Sequence, residues 1–197
     1  MIEVFMFDMG GVLSEEGMMA PRLLAELGFE GTNLRQIGPL SAKAIEECLR
    51  GNLTEEQYWR IVEKERHVTI PDHTLLSKYF TPRMNGDVIE VIRELKAKGK
   101  RVVCGTNVIA PHCAIHKALH DYDIFDAVYL SYEMHAAKPD RRFYEMVAEA
   151  EKVPYGKFFF TDDTVRNVDE AKSLGMQSFV FTDAAHLRWQ LMSLEEL

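Results

Sequence analysis

The chain has 197 residues, of which 47% are hydrophobic and 27% are charged, and its formal net charge is −8 at pH 7. This length and composition predict a packed α/β domain with a modest insertion, and they exclude a disordered chain or two large domains. The acidic balance argues against binding to nucleic acid or to an anionic membrane, because the long-range field repels polyanions; a few local cations and backbone N–H groups could still hold a small anion.

Cysteine usage and the N-terminus predict a cytoplasmic location. Cys48, Cys104 and Cys113 have no Cys-x-x-Cys spacing, which indicates reduced thiols rather than a zinc site or a disulfide framework. No apolar run reaches membrane-spanning length, and the first residues do not have the pattern of a secretory signal. We therefore expect a cytoplasmic protein that does not bind membranes.

Five short apolar runs are typical of strands buried on both faces. In chain order they are residues 4–7, 101–105, 127–130, 158–160 and 178–181. Helical patterns at 111–120, 141–152 and 165–174 fill the gaps between the later runs, and Val88, Val91, Ile92 and Leu95 mark one face of an earlier helix. Strands that alternate with helices predict a doubly wound, Rossmann-like parallel sheet.

The segment between the first two strands breaks this alternation. It predicts helices over 21–27, 41–50, 54–67 and 74–80, and Thr54 followed by Gln57 has the spacing of a capping box. We expect a core made of residues 1–13 and 84–197, with residues 14–83 inserted as a helical cap. An insertion after the first strand lies beside the carboxyl ends of the strands, where ligands bind in open α/β sheets, so we interpret it as a lid.

Polar residues follow four of the predicted strands. They are Asp8, Thr106-Asn107, Lys138-Pro139 and Asp162-Asp163. Each alone is more often a turn or a helix cap than a functional residue. Because the carboxyl ends of parallel strands lie on one edge of a sheet, we expect these side chains to converge at a site.

The chemistry that fits this set is phosphoryl transfer through an aspartyl-phosphate. A carboxylate such as Asp8 can attack phosphorus only if its repulsion with the phosphate is cancelled. Mg²⁺, which prefers oxygen ligands, could do this between Asp8 and the acidic pair, and Lys138 would add a second positive charge. The Thr106 hydroxyl and the backbone N–H groups that follow Asp8 could bind phosphate oxygens.

The order of these motifs resembles that of the haloacid dehalogenase superfamily over essentially the whole chain, with the insertion in the position of that family's C1 cap. The resemblance implies that Asp8 is the nucleophile and that Lys138 steadies it. It implies substrate binding by Thr106, Asn107, Met9 and Gly10. It also implies Mg²⁺ held by Asp8, the Gly10 carbonyl and Asp163, with Asp162 at least in an outer role and Asn167 supporting the acidic loop.

The first motif departs from the pattern of phosphatases in this family. They carry a second Asp, which serves as general acid and base, at the position that Gly10 holds here. Losing such a group costs about 10²–10⁴ in rate, so we expect a substrate with a good leaving group. Anomeric sugar, acyl and aryl phosphates qualify, and an Asp-x-Gly branch of the family is associated with hexose-1-phosphate hydrolysis. Glu15, Glu16 and His112 are candidate substitutes for the missing acid.

Two other functions stay open beside the hydrolysis of a small phosphorylated metabolite. Haloacid dehalogenases also lack the second Asp, because a halide needs no proton, but they need no metal and the Asp162-Asp163 pair would then be redundant. The chain could instead bind phosphate or a metabolite with little turnover. Arg35, Arg141 and Arg142 are weaker candidates for anion contacts.

Overall fold

The computed structural model describes residues 1–15 and 19–197, and its centre is a parallel sheet of five strands. The strands of this sheet are β1 (Val4–Phe7), β4 (Arg101–Thr106), β5 (Ala127–Leu130), β6 (Phe158–Asp162) and β7 (Gln177–Val180). Their order across the sheet is β5-β4-β1-β6-β7, so the first strand lies in the middle. The doubly wound α/β fold predicted from the sequence is confirmed.

The apolar runs form strands because each lies between two layers of helices. In β1, side chains alternate between the faces, so Phe5 and Phe7 enter one apolar core while Val4 and Met6 enter the other. Phe7 pairs with Cys104 of β4 on one side and with Thr161 of β6 on the other. This register brings the ends of the three central strands to one level.

Helices cover both faces of the sheet. They are α5 (Gly86–Ala97), α6 (Ala110–Ala118), α7 (Ser131–Met134), α8 (Arg141–Glu151), α9 (Val165–Ser173) and α10 (Ala184–Ser193). A 3-10 turn, Tyr155–Lys157, precedes β6. Two of the strands run further than predicted, which makes Thr106 and Asp162 the last residues of β4 and β6 rather than loop residues.

The inserted segment is helical, as predicted, and has its own apolar core. Its helices are α1 (Met19–Glu26), α2 (Pro39–Leu49), α3 (Glu55–Arg66) and α4 (Leu75–Tyr79), called the cap helices below. Tyr58 and Trp59 of α3 are fully buried in this core. The predicted capping box is present, since Thr54 Oγ1 accepts from the Gln57 N–H at 3.2 Å and the Thr54 N–H donates to Gln57 Oε1 at 2.8 Å.

The two ends of the insertion meet in a short antiparallel pair that the sequence analysis does not predict. In it, β2 (Ser14–Glu15) pairs with β3 (Arg83–Met84). Within the described ranges, the three cysteines are buried and form no disulfide. None of the helices in residues 1–15 and 19–197 is long and apolar enough to cross a membrane.

Candidate active site

Asp8 lies directly after the central strand. Its N–H donates to the carbonyl of Thr161 at 3.0 Å, which continues the pairing of β1 with β6. Its Oδ1 accepts from the Met9 N–H at 2.7 Å and lies 2.9 Å from Lys138 Nζ. Both contacts are made to Asp8 Oδ1, and they fix the orientation of the carboxylate and hence the direction of Oδ2.

Lys138 is fully buried and bridges two carboxylates. Its Nζ donates to Asp162 Oδ2 at 2.6 Å in addition to its contact with Asp8. The Asn107 side chain makes two hydrogen bonds to the backbone of Lys138. Asn107 Oδ1 accepts from the Lys138 N–H at 2.8 Å, and Asn107 Nδ2 donates to the Lys138 carbonyl at 2.7 Å. The Asn107 amide therefore holds the lysine backbone in place; Asn107 also lines the cavity described below, and its role in substrate binding stays a prediction.

Asp162 is the fully buried acceptor at the end of β6. In addition to the hydrogen bond from Lys138, the Asp162 carboxylate accepts one from the Thr164 N–H at 2.8 Å. It also accepts from Asn167 Nδ2, which lies 3.0 Å from both carboxylate oxygens of Asp162. Asn167 is held in turn, because its carbonyl accepts from the Tyr144 hydroxyl at 2.8 Å. Both oxygens of Asp162 are thus engaged within the protein.

Asp163 is the exposed member of the acidic pair. Its carboxylate lies against Gly11, whose φ of 73° is in the left-handed region that favours glycine. A Cβ at Gly11 would collide with the Asp163 carboxylate. One carboxylate oxygen from each of Asp8, Asp162 and Asp163 lies within 4.8 Å of the others. These three residues are called the acidic cluster below.

The charges in this cluster are only partly balanced. Burial raises the pKa of Asp8, and the Asp162 and Asp163 carboxylates add to this, whereas Lys138 opposes it. Burial and Asp162 likewise raise the pKa of Asp163. Burial alone would lower the pKa of Lys138, but Asp8 and Asp162 raise it overall, so the lysine stays charged. One ammonium group faces three carboxylates, an arrangement that a bound cation would relieve.

A cavity of about 440 Å³ opens above the acidic cluster. Asp8, Gly10 and Asp163 line it from the core, and Arg35 and Leu49 line it from the cap side. Arg35 Nε and a terminal nitrogen lie 2.7 Å and 2.6 Å from Glu46 Oε1, so its guanidinium is held at this position. By contrast, Arg141 and Arg142 pair with Glu145 and Glu149 on their own helix.

Four cavity residues are absent from the predicted site: Gly11, Leu49, Thr164 and Arg166. Thr164 and Arg166 follow the acidic pair at the start of α9 and line the cavity. Their position between Asp163 and Asn167 is the sequence signal that could have pointed to them. Thr106 is buried at the end of β4, and Met9 is buried with its N–H donated to Asp8.

The candidate substitutes for the missing acid lie in different environments. His112 Nε2 is 3.1 Å from the Leu76 carbonyl, and because a carbonyl only accepts, this nitrogen carries the proton. Burial lowers the pKa of His112 to about 4, and its ring stacks on Phe80. His112 is therefore a neutral group and does not serve as a general acid. Glu15 is an exposed residue of β2, and Glu16 lies outside the described residues.

With this fold and constellation established, the family follows from comparison with known proteins. The model of the haloacid dehalogenase-like hydrolases matches residues 2–175. The chain belongs to this family of hydrolases.

Three relatives illustrate the range of similar proteins. The chain is similar to the sesquiterpene phosphatase AstK of Aspergillus oryzae, with 25% identity over 95% of this chain and 94% of the relative. It is 28% identical to the drimenol cyclase DrtB of Aspergillus calidoustus over 79% of this chain, but it spans only 32% of that protein's length. Its fold is similar to that of a haloacid dehalogenase family enzyme of Bacteroides thetaiotaomicron solved with magnesium and inorganic phosphate, with a TM-score of 0.74, 21% identity, and 94% and 98% of the two chains covered.

Proposed function

We propose that this protein is a Mg²⁺-dependent phosphatase of small phosphomonoesters that acts through an aspartyl-phosphate on Asp8. The observation that carries this proposal is the geometry of the acidic cluster: the buried Asp8 carboxylate is held by Lys138 at 2.9 Å beside two further carboxylates, and Asp8 and Asp163 line a cavity. The phosphatase activity in the name of the Aspergillus oryzae relative, and the magnesium and phosphate in the Bacteroides structure, support the same reaction.

The residues present fit a magnesium ion. Asp8 and Asp163 each offer a carboxylate oxygen to the cavity, and we assign them as direct ligands together with the Gly10 carbonyl. Both oxygens of Asp162 are engaged with Lys138, Thr164 and Asn167, so we assign it the role of orienting that lysine. When bound, the ion would neutralise phosphate charge and allow an anionic nucleophile to approach.

The chain's own residues then account for the transfer. The Asp8 oxygen that is not held by Lys138 attacks phosphorus, and the bond between phosphorus and the leaving oxygen breaks with its electron pair on that oxygen. Lys138 orients Asp8, and the Thr106 hydroxyl and the Gly10 N–H bind phosphate oxygens, since the N–H groups of Met9 and Gly11 are donated within the loop. Water then attacks the aspartyl-phosphate, which releases phosphate and restores Asp8.

Two of the positions that could supply an acid to the leaving group do not do so in the described residues. Gly10 supplies none, and His112 is held neutral against Leu76. This supports substrates whose leaving oxygen needs little protonation, such as anomeric sugar, acyl or aryl phosphates. We further propose that the insertion, residues 14–83, is a cap that selects the organic group, because its two ends meet at the β2–β3 pair and Arg35 and Leu49 face the cavity.

The first experiment measures phosphate release from acetyl phosphate and p-nitrophenyl phosphate with Mg²⁺. We expect Asp8→Asn to lower kcat by about 10⁴-fold or more, because the nucleophile is lost. The exposed Asp123→Asn is the matched control and should leave kcat unchanged. Substantial turnover by Asp8→Asn would refute the nucleophile assignment.

Metal removal separates the proposed activity from its alternatives. EDTA should abolish phosphate release, and added Mg²⁺ should restore it. Halide release from 2-haloacids that survives EDTA would instead favour a dehalogenase, whose chemistry leaves Asp163 without a task. Tight binding of phosphate esters with no turnover of any would favour a binding protein.

A further inference from the structure

A second, smaller cavity adjoins the cavity above the acidic cluster. It has a volume of about 190 Å³, and Arg35, Leu49 and Asn107 line both cavities. It lies between the cap helices α1 and α2 and the segment after β4. An organic group attached to a phosphate at Asp8 can therefore reach this smaller cavity, which is called the cap pocket below.

His112 is a largely buried polar side chain of the cap pocket. It lies in the first turn of α6 and is 8% exposed, and it lines the pocket. Its ring stacks on Phe80 at a centroid distance of 3.8 Å, and its Nε2 lies 3.1 Å from the Leu76 carbonyl. The ring cannot turn over without losing the contact with Leu76, so the direction of each ring nitrogen is fixed.

The second ring nitrogen of His112, Nδ1, is an acceptor. The proton lies on Nε2, because a carbonyl only accepts, and Nδ1 therefore keeps its lone pair. Burial holds the pKa of His112 well below its usual range, which keeps the ring in this neutral form at pH 7. Within residues 1–15 and 19–197, Nδ1 has no hydrogen-bond partner. A ligand that donates to an acceptor in so enclosed a position gains more than it would at the surface.

Two further polar groups of the cap pocket are donors. Asn33 Oδ1 accepts from the Arg35 N–H at 2.9 Å, which leaves Asn33 Nδ2 without a partner in the described part of the chain. Arg35 Nε and one terminal nitrogen are bound to Glu46, and the other terminal nitrogen, Nη1, has no partner among the described residues. A hydroxyl can donate to His112 and accept from one of these donors, whereas a carboxylate cannot donate and an ammonium cannot accept.

We infer that His112 determines substrate specificity by accepting a hydrogen bond, at Nδ1, from a hydroxyl of the substrate's organic group. This inference rests on the proposed function, and it gives His112 a different role from the general acid that the sequence analysis considers. The histidine holds the organic group while Asp8 reacts with the phosphate, and it transfers no proton. Sugar phosphates carry such hydroxyls, whereas acetyl phosphate and phenyl phosphate carry none.

The test uses two substitutions that separate the two ring nitrogens of His112. In His112→Asn, a side-chain oxygen can occupy the position of Nδ1, but the donor at Nε2 is lost. In His112→Gln, the amide nitrogen can still donate to the Leu76 carbonyl, but the acceptor at the position of Nδ1 is lost. A purely structural histidine would tolerate His112→Gln better, whereas a histidine that binds the substrate through Nδ1 would tolerate His112→Asn better.

The measurement is a ratio of two kcat/KM values at saturating Mg²⁺. The first value is for the best substrate among the 1-phosphates of glucose, galactose and ribose, and the second is for phenyl phosphate. Differences in leaving group affect the ratio within each variant, but they cancel when variants are compared. We expect His112→Gln to lower the ratio by about 10-fold or more, and His112→Asn to keep it within about threefold of the unmodified protein.

His120→Gln is the matched control, because His120 follows the same helix and its exposed ring pairs with Asp123. It should leave the ratio unchanged. An unchanged ratio in His112→Gln, or an equal loss in His112→Gln and His112→Asn, would overturn the inference.

The unmodified protein provides a second test that does not depend on the folding of any variant. Deoxy analogues of the best sugar 1-phosphate each lack one hydroxyl. The analogue without the hydroxyl that His112 binds should lose about 10-fold in kcat/KM, and this loss should disappear in His112→Gln. Similar kcat/KM values for all the analogues would overturn the inference.

Failure of the proposed function would be visible separately. Turnover of acetyl phosphate tests the phosphatase activity without a substrate hydroxyl. If no ester is turned over, calorimetric binding of the three sugar 1-phosphates and of phenyl phosphate to the full chain with Mg²⁺ gives the same ratio. Weaker binding of sugar phosphate by His112→Gln than by His112→Asn would support the inference, and equal binding would overturn it.

Discussion

The core side of the active-site cavity is a network of buried charges, whereas the cap side contributes Leu49 and one arginine, Arg35, which is paired with Glu46. On the core side, Asp8, Lys138 and Asp162 form a chain of contacts at 2.9 Å and 2.6 Å, and each group fixes the next. On the cap side, Leu49 contributes only carbon surface to the cavity, and Arg35 is held by Glu46 of the cap and by no residue of the core side. We therefore expect substitutions on the core side to abolish the proposed reaction, and substitutions on the cap side to have smaller effects that depend on the substrate.

The strongest test of this difference is Lys138→Met, which keeps an unbranched side chain, one atom shorter, and removes its charge. Two buried carboxylates would lose their cation, so we expect the free energy of unfolding to fall by about 3–5 kcal/mol. We also expect kcat to fall by about 10²–10³-fold, because charge stabilisation at the nucleophile is lost. Urea denaturation and steady-state kinetics measure the two effects.

The matched control is Lys157→Met, which removes a lysine from an exposed ion pair with Glu3 at 3.2 Å. This change should cost less than about 1 kcal/mol. The double variant Lys138→Met/Asp162→Asn should recover part of the lost stability, since one unpaired carboxylate becomes neutral. Equal stabilities for the two single lysine variants would contradict the claim that the core side depends on its buried charges.

The next test adds a proton donor to the core side. Gly10→Asp places a carboxyl group at the cavity, and we expect it to raise kcat/KM for a simple alkyl phosphate by about 10²-fold. The gain should be smaller for p-nitrophenyl phosphate, whose leaving group needs little protonation.

The control for this gain is Gly156→Asp, in the 3-10 turn before β6, where a Cβ would meet no atom within 4 Å. It should change neither rate. If Gly10→Asp also leaves both rates unchanged, another group already serves as the acid.

The convergence of the core residues could be predicted from sequence because it depends on backbone topology. Parallel strands with short connections bring their carboxyl ends to one edge, and this alone placed Asp8 near Asp162. The hydrogen bonds within the site could not be predicted. Asn107 lies where expected, but its amide is turned toward Lys138, and that orientation depends on the path of the loop after α7.

Which residues of the cap helices reach the cavity could not be predicted from the sequence. Arg35, Arg141 and Arg142 are equivalent as sequence signals, and only the packing of the cap helices brings Arg35 to the cavity. The helix α10 was missed for a related reason: Leu187 and Leu191 are buried while Trp189 and Met192 are exposed, so its apolar residues do not form one stripe.

The smallest expected effect concerns the contact that holds the cap against the core. Arg50, which follows α2, lies 2.7 Å from Asp140, and its carbonyl accepts from His135 Nδ1 at 2.8 Å. Gly51 packs so closely on the Tyr132 carbonyl that a Cβ would collide with it. We expect Arg50→Ala to weaken cap closure by about 1 kcal/mol, which corresponds to about a fivefold loss of kcat/KM.

Arg60→Ala is the matched control, because Arg60 forms an exposed ion pair with Glu56 on its own helix and does not link the cap to the core. It should leave kcat/KM unchanged. The effect of Arg50→Ala should shrink in high salt, since the Arg50–Asp140 pair is partly exposed and salt already weakens it in the unmodified protein. If both variants behave alike, the Arg50–Asp140 pair is a surface contact with no part in closure.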